Sequence, residues 1–303
     1  NYKETRSQWF VFGRKLEEWS RVDSYWKLGV TQPLFSADLL RPQEQGFVGL
    51  FLNLEIAPNL QFMGLYSPVF IPEQGPPFEV RNNKILSPSP WFSSPTNSFV
   101  LYNGTADIFY SVNTPSIMSI VRKETKGARV LLGHLEDGAW LKMSYMQKPR
   151  NQLRLPFEGQ LNLTGSSSVA RVDIFPRVVF HQTKSIDFGY DAKAWSFWFS
   201  WLRDEPTFDN VDSLLTAQTL SQQGLFSPAL QTHFSIGEKQ DLKVSIAYLE
   251  QKGGEWSEVG PLATADGNIF TPPMTFSHAW KTELFWSSRP ADLGGSNKAA
   301  SAV

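Results

Sequence analysis

From Val48 to Ile56 the chain alternates: Val48, Leu50, Leu52, Leu54 and Ile56 point one way, Phe47, Gly49, Phe51, Asn53 and Glu55 the other. Period two is the mark of a strand with two unlike faces. The pattern returns where Ala106, Ile108, Tyr110 and Val112 oppose Asp107, Phe109 and Ser111. It returns again where Ala139, Leu141, Met143 and Tyr145 oppose Trp140, Lys142, Ser144 and Met146. Ser166–Lys184 reads as one long strand, with Ala170, Val172, Ile174, Pro176, Val178 and Phe180 facing away from Arg171, Asp173, Arg177 and His181. Pro176 lacks a ladder donor and predicts a bulge there. Trp195, Phe197, Phe199 and Trp201 share a side of another strand. Two hairpins are predicted: one turns at Glu136-Asp137-Gly138. The other turns at Gly237–Gln240, between Leu230, Thr232, Phe234 and Ile236 and Leu242, Val244, Ile246 and Tyr248, with His233 and Lys243 on its polar face.

Between these strands lie long connections. Residues 67–98, rich in Pro, Ser and Asn, predict a loop without a packed element of its own. Residues 204–227 predict a loop with one short helix, capped by Asp212, striped by Leu214, Leu215 and Leu220, and stopped by Gly224. Short turns alternating with long loops predict an all-β fold: a closed antiparallel transmembrane β-barrel of roughly 14 strands, between about 12 and 16, with long loops on one rim. Residues 1–287 would form this single barrel domain and 288–303 a flexible tail. Several alternating runs reach the 9–11 residues that a tilted strand needs to cross a bilayer. Trp9, Tyr66, Trp140, Tyr145, Tyr190, Trp195, Trp201, Tyr248, Trp280 and Trp286 fall near strand ends, where membrane barrels carry aromatic girdles.

Composition narrows the function. Among 303 residues, 28 Lys and Arg against 29 Asp and Glu leave a net charge of −1 and no field favouring nucleic acid. The chain has no cysteine, which excludes disulfides, thiolate metal sites and a cysteine nucleophile. His134, His181, His233 and His278 are scattered without ligand spacing, and no nucleophile elbow, Walker loop or dinucleotide-binding glycine motif is present. Neither an enzyme nor a bound cofactor is expected.

The segment Trp9–Pro33 resembles one found in large Gram-negative outer-membrane barrels of the porin and alginate-export type, through Gly13, Arg14, Trp19, Asp23 and Pro33. It departs from that pattern at Lys15 and Ser20. The resemblance implies an outer-membrane channel with inward charges, and places Arg14 and Arg21 in its lumen. The lumen residues expected overall are Arg14, Arg171, Asp173, Arg177, His181, His233 and Lys243. The leading expectation is a conduit in the bacterial outer membrane, in contact with lipid, passing small solutes or a polymer. A plugged barrel that scaffolds a partner protein through loops 67–98 and 204–227 is the second reading. A soluble all-β carbohydrate binder is the third.

Overall fold

The computed structural model describes residues 8–38, 40–92, 94–101, 104–135, 137–164, 167–192, 194–207, 212, 214–236, 240–262 and 277–288. The elements come in chain order as β1 (Trp9–Lys15), α1 (Arg21–Trp26), β2 (Leu34–Phe35), β3 (Gln43–Glu44), β4 (Phe47–Ala57) and β5 (Leu60–Val69). Next are β6 (Glu79–Arg81), β7 (Lys84–Leu86), β8 (Ser98–Leu101), β9 (Gly104–Val112), α2 (Ile117–Val121), β10 (Thr125–His134) and β11 (Asp137–Pro149). Then follow β12 (Phe157–Thr164), β13 (Ser167–Ile174), β14 (Phe180–Asp191), β15 (Trp195–Pro206) and β16 (Ala217–Leu220). The last are β17 (Gln223–Ile236), β18 (Gln240–Gly253), β19 (Trp256–Val259) and β20 (His278–Ser288). The fold is all-β, and among the described residues no helix is long and apolar enough to cross a membrane.

Ten strands make one sheet in the order β1-β4-β5-β10-β11-β14-β15-β17-β18-β20, and every neighbouring pair in it is antiparallel. About 14 barrel strands were expected; the main sheet has ten, with β1 and β20 at its two edges. The difference comes from β8, β9, β12 and β13, which alternate like barrel strands but pair in a separate sheet, where β13 lies parallel to β9. The two rims of the main sheet are unequal. Residues 58–59, 135–136, 192–194 and 237–239 connect strands at one rim; 16–46, 70–124, 150–179, 207–222 and 254–277 connect them at the other. Both predicted hairpins form, as β10–β11 and β17–β18.

The sheet is strongly curled, as the reach of one short segment requires. Trp19 packs on Phe47 and Phe51 of β4, while the Tyr25 hydroxyl donates to Glu283 of β20. These strands are eight places apart, about 38 Å across a flat sheet, whereas Trp19 to Tyr25 spans about 13 Å. The strands also tilt. The hydrogen-bonded row Leu60, Leu132, Leu141, Phe188, Phe199 and Pro228 starts at the short-turn rim in β5 and ends well up β17. That climb corresponds to a tilt of about 45°.

Alternation gives the sheet two opposite surfaces. The convex face is apolar and open, with Phe12 72%, Trp280 71% and Leu284 73% exposed. Along it run Leu52, Met143, Tyr145, Ile186, Phe188, Phe197, Leu230 and Ile246. Among the described residues it carries no Asp, Glu, Lys or Arg between the short-turn rim and a row near the long-connection rim, where Lys126 pairs Glu124, Lys184 and Arg203 share Glu205, and Lys252 meets Glu250. Tyr66, Tyr145, Tyr190, Trp195, Trp201, Tyr248, Trp280 and Trp286, eight of the ten aromatics expected near strand ends, take this convex side. Trp9 and Trp140 do not: Trp9 packs on the Trp19 core, and Trp140 is buried against Leu131 and Trp198, because both occupy the inward parity of their strands.

Ser166–Lys184 is two strands rather than one. β13 ends at Ile174, Phe175 and Arg177 bond back to Pro156 and Arg154, and β14 starts at Phe180 in the other sheet, so Pro176 marks a change of direction and not a bulge. The helix expected after Asp212 is replaced by β16, paired with β19; its leucines lack a helical stripe, since Leu215 and Leu220 are buried and Leu214 is 70% exposed. Within 67–98 the β6–β7 hairpin forms, turning on Asn82 (φ 51°) and Asn83 (φ 59°), residues that tolerate left-handed backbone. It buries Ile85 in a second core with Tyr110, Phe157, Val172 and Ile174. Of the tail 288–303, Ser288 closes β20 and 289–303 lie outside the described residues.

Gly133 sits at φ 82°, and a Cβ there would lie 2.1 Å from the Ala139 carbonyl. G133A should therefore destabilise the protein by about 2–3 kcal/mol in denaturant unfolding. G138A, at a positive φ with open space around it, should cost less.

Candidate functional site

The chemistry of this fold lies on the concave side, where residues 16–32 fold inward. Lys15 pairs with Phe47, so the excursion leaves β1 and rejoins the sheet at adjacent points. Its anchor is Trp19, fully buried among Phe47, Phe51, Met63, Leu65 and Met146. Gly127 makes room for the indole: a Cβ there would sit 3.2 Å from it. Val22 fills a second apolar patch with Leu202, Leu225 and Leu249, and Tyr25 packs edge-on to Trp198 with centroids 5.1 Å apart.

The start of α1 needs partners for its free backbone donors. Ser20, at the N-cap, makes no side-chain cap. The sheet supplies one instead: Arg21 N–H donates to Asp187 (3.0 Å) and Val22 N–H to Ser200 Oγ (2.9 Å). The Ser200 hydroxyl in turn donates to Asp187. Lys142, 1% exposed, sits 3.1 Å from Asp187 and also pairs with Glu18, while Arg129 holds Glu17 at 3.2 Å. Burial opposes ionisation of Glu18, but Lys142, Arg21 and Arg129 hold its carboxyl below the ordinary carboxylate range.

Beyond α1, Lys27 adopts a left-handed cap and Asp23 gathers the returning chain, accepting from the Val30 and Thr31 N–H groups and from the Thr31 hydroxyl. Lys148 donates to the Val30 carbonyl (3.1 Å) and Asn151 to that of Gly29. On the far wall Trp26 Nε1 donates to Ser227 Oγ (2.9 Å), and Ser227 donates to the Tyr248 carbonyl (2.6 Å). Pro228, next in sequence, has no N–H for the ladder, so Ser227 joins plug and wall where the sheet lacks a rung. The arrangement is an internal plug, tethered by hydrogen bonds and ion pairs to β10, β11, β14, β15, β17 and β20.

No family model matches the chain, and no curated protein resembles it.

Three of the seven expected lumen residues lie on the concave side. His181 is buried there, 2.5 Å from Asp204, and His233 and Lys243 are cross-strand partners nearer the short-turn rim. Arg14 shares the convex parity of Phe10 and Phe12, is exposed and reaches Gln45. Arg171 and Asp173 pair with each other on the separate sheet, and Arg177 lies exposed in the link to β14. Reading 166–184 as one strand assigned those three to the wrong sheet. Arg21 is inside, on the plug, its guanidinium 5.7 Å from both Trp140 and Trp198. Sequence reasoning missed Glu17, Glu18, Arg129, Lys142, Asp187, Ser200 and Ser227. A signal existed for two of them: Lys142 and Asp187 are charged residues flanked in sequence by the apolar opposite parity, Leu141 and Met143 in one strand and Ile186 and Phe188 in the other. Among the described residues no cluster of three or more His, Asp or Glu side chains is arranged to hold a metal.

K142M leaves Asp187 buried with an uncompensated charge and should cost about 3–5 kcal/mol. K142M/D187N should recover much of that loss in the same unfolding measurement. A double variant as unstable as the single one would show that the pair is not what holds the plug's wall.

Proposed function

We propose that this chain is an outer-membrane β-barrel, closed by pairing of β1 with β20 and blocked at rest by its own residues 16–32. It acts first as a membrane-embedded scaffold that presents the β6–β9 and β12–β13 module on its long-connection rim. The observation that carries this reading is a plug filling the concave side of a sheet whose convex side is an uncharged apolar belt. A soluble sheet would leave that belt in water, far beyond the few hundred Å² of apolar patch usual for soluble monomers.

Other features support it. With ten antiparallel strands, β1 and β20 run antiparallel, so their pairing continues the same ladder. Short turns on one rim and long connections on the other, strands of 10–14 residues in most of the sheet, and outward aromatics six residues apart (Trp195 and Trp201, Trp280 and Trp286) fit a bilayer crossing. The short resemblance of Trp9–Pro33 to porin-type barrels points the same way, since its Trp19 and Asp23 are the residues that anchor and shape the plug. Outward tryptophans on a convex wall fit a membrane girdle better than the concave line of a sugar-stacking site. Partner recognition is assigned to the long-connection rim, which includes residues 67–98 and 204–227.

The protein should require detergent, float with liposomes and give no steady current in planar bilayers. Steady current from the unaltered protein would favour the open conduit, and free solubility would end the membrane reading. I246R, on the belt, should cost about 2–4 kcal/mol for folding into bilayers, and K243Q, on the concave side, should cost little. Because the chain has no cysteine, F12C combined in turn with T282C, L284C and W286C, all on the convex face, tests closure. One combination should cross-link readily, and none would do so if the edges stay apart.

A further inference from the structure

The plug is built to leave without unthreading the chain. Its stems meet where Lys15 pairs with Phe47, and a Cβ on Gly46 would touch the Lys15 backbone at 2.5 Å, so the loop enters and exits through one point at the long-connection rim. Swinging it outward breaks no rung of the main sheet. Its grip on the wall joins the apolar seats of Trp19, Val22 and Tyr25 to a polar set: Arg129–Glu17, Lys142–Glu18, the Asp187 and Ser200 caps, Trp26 to Ser227 and Tyr25 to Glu283. The polar set can be exchanged for water, so weakening it loosens the plug. Within the plug, Trp19 Nε1, Ser20 Oγ and Gln32 Oε1 are buried without a hydrogen-bond partner, a cost that leaving would relieve.

The wall beneath the plug is mixed, apolar at Phe51, Met63, Leu202 and Leu225 but crossed by a polar stripe suited to water. Arg129, Lys142, Ser144, Asp187, Ser200 and Glu283 all lie on it. Ten strands about 4.8 Å apart, tilted by about 45°, enclose a backbone radius of about 11 Å, of which roughly 5 Å remains inside the side chains. From this we infer a second activity: displacement of residues 16–32 converts the plugged barrel into a conduit for small hydrophilic solutes, with both signs of charge on its wall. The inference rests on the membrane-barrel reading above.

The test uses E17Q/E18Q, which loosens the plug's ion pairs while Lys142 keeps Asp187, and V22C/L202C, which joins plug to wall. The full-length proteins are first floated with liposomes and then recorded in planar bilayers from 0 to 3 M urea. E17Q/E18Q should open at least tenfold more often than the unaltered protein. Oxidised V22C/L202C should stay silent at every urea concentration and recover openings on reduction. If E17Q/E18Q floats with liposomes yet conducts no more than the unaltered protein, or if the oxidised variant still conducts, the inference is overturned and the scaffold stands. If none of the proteins floats, it is the membrane reading that has failed.

Discussion

Strand alternation is the constraint on which the rest of this structure depends. Once ten strands pair in one register, each residue is committed to the convex or the concave side, and a slip of one position would exchange them. The convex side took the aliphatic and aromatic residues. The concave side took Arg129, Lys142, Asp187, Ser200, Ser227 and Glu283 together with Phe51, Met63, Leu225 and Leu249. A curled sheet with so mixed an interior cannot close on itself dry. Residues 16–32 solve this by bringing apolar side chains to the apolar patches and backbone donors to the buried carboxylate.

The plug and the wall are therefore one design in two parts. Asp187 has no excuse for burial without Lys142 and the α1 amides, and those amides have no cap without Asp187 and Ser200. Ser227 plays the same double part beside Pro228, serving Trp26 on one side and the Tyr248 carbonyl on the other. Specificity of placement, rather than gross stability, is what such buried polar contacts supply, since they break even at best against apolar packing.

The main hairpins and the two-faced strands could be read from the sequence because period two is local information. The Leu242–Tyr248 parity and the outward aromatics needed no knowledge of distant residues. The separate sheet was not readable: β9 and β13 alternate as the main-sheet strands do, and only their parallel pairing across the intervening β10–β11 hairpin sets them apart. The plug was hidden for a related reason. Trp19 and Asp23 stood out as a motif, but nothing within Trp9–Pro33 says that the neighbouring Arg21 and Val22 amides meet Asp187 and Ser200 more than 100 residues away. The Asn82-Asn83 turn is local information too, two residues that tolerate left-handed backbone, but it sits among prolines that read as an open loop.

The parallel pairing of β9 with β13 also orders events in time. Its strands come from two different connections, 70–124 and 150–179, which flank the β10–β11 hairpin. Bringing 107–112 beside 169–174 closes a long loop unless that hairpin has already folded and shortened it, so the entropy of closure falls once the hairpin is in place. Assembly of the rim module is thus favoured once the β10–β11 part of the main sheet is in place. A chain that stalls before pairing β10 with β11 would form the module late, so the completed module reports on the state of the sheet beneath it.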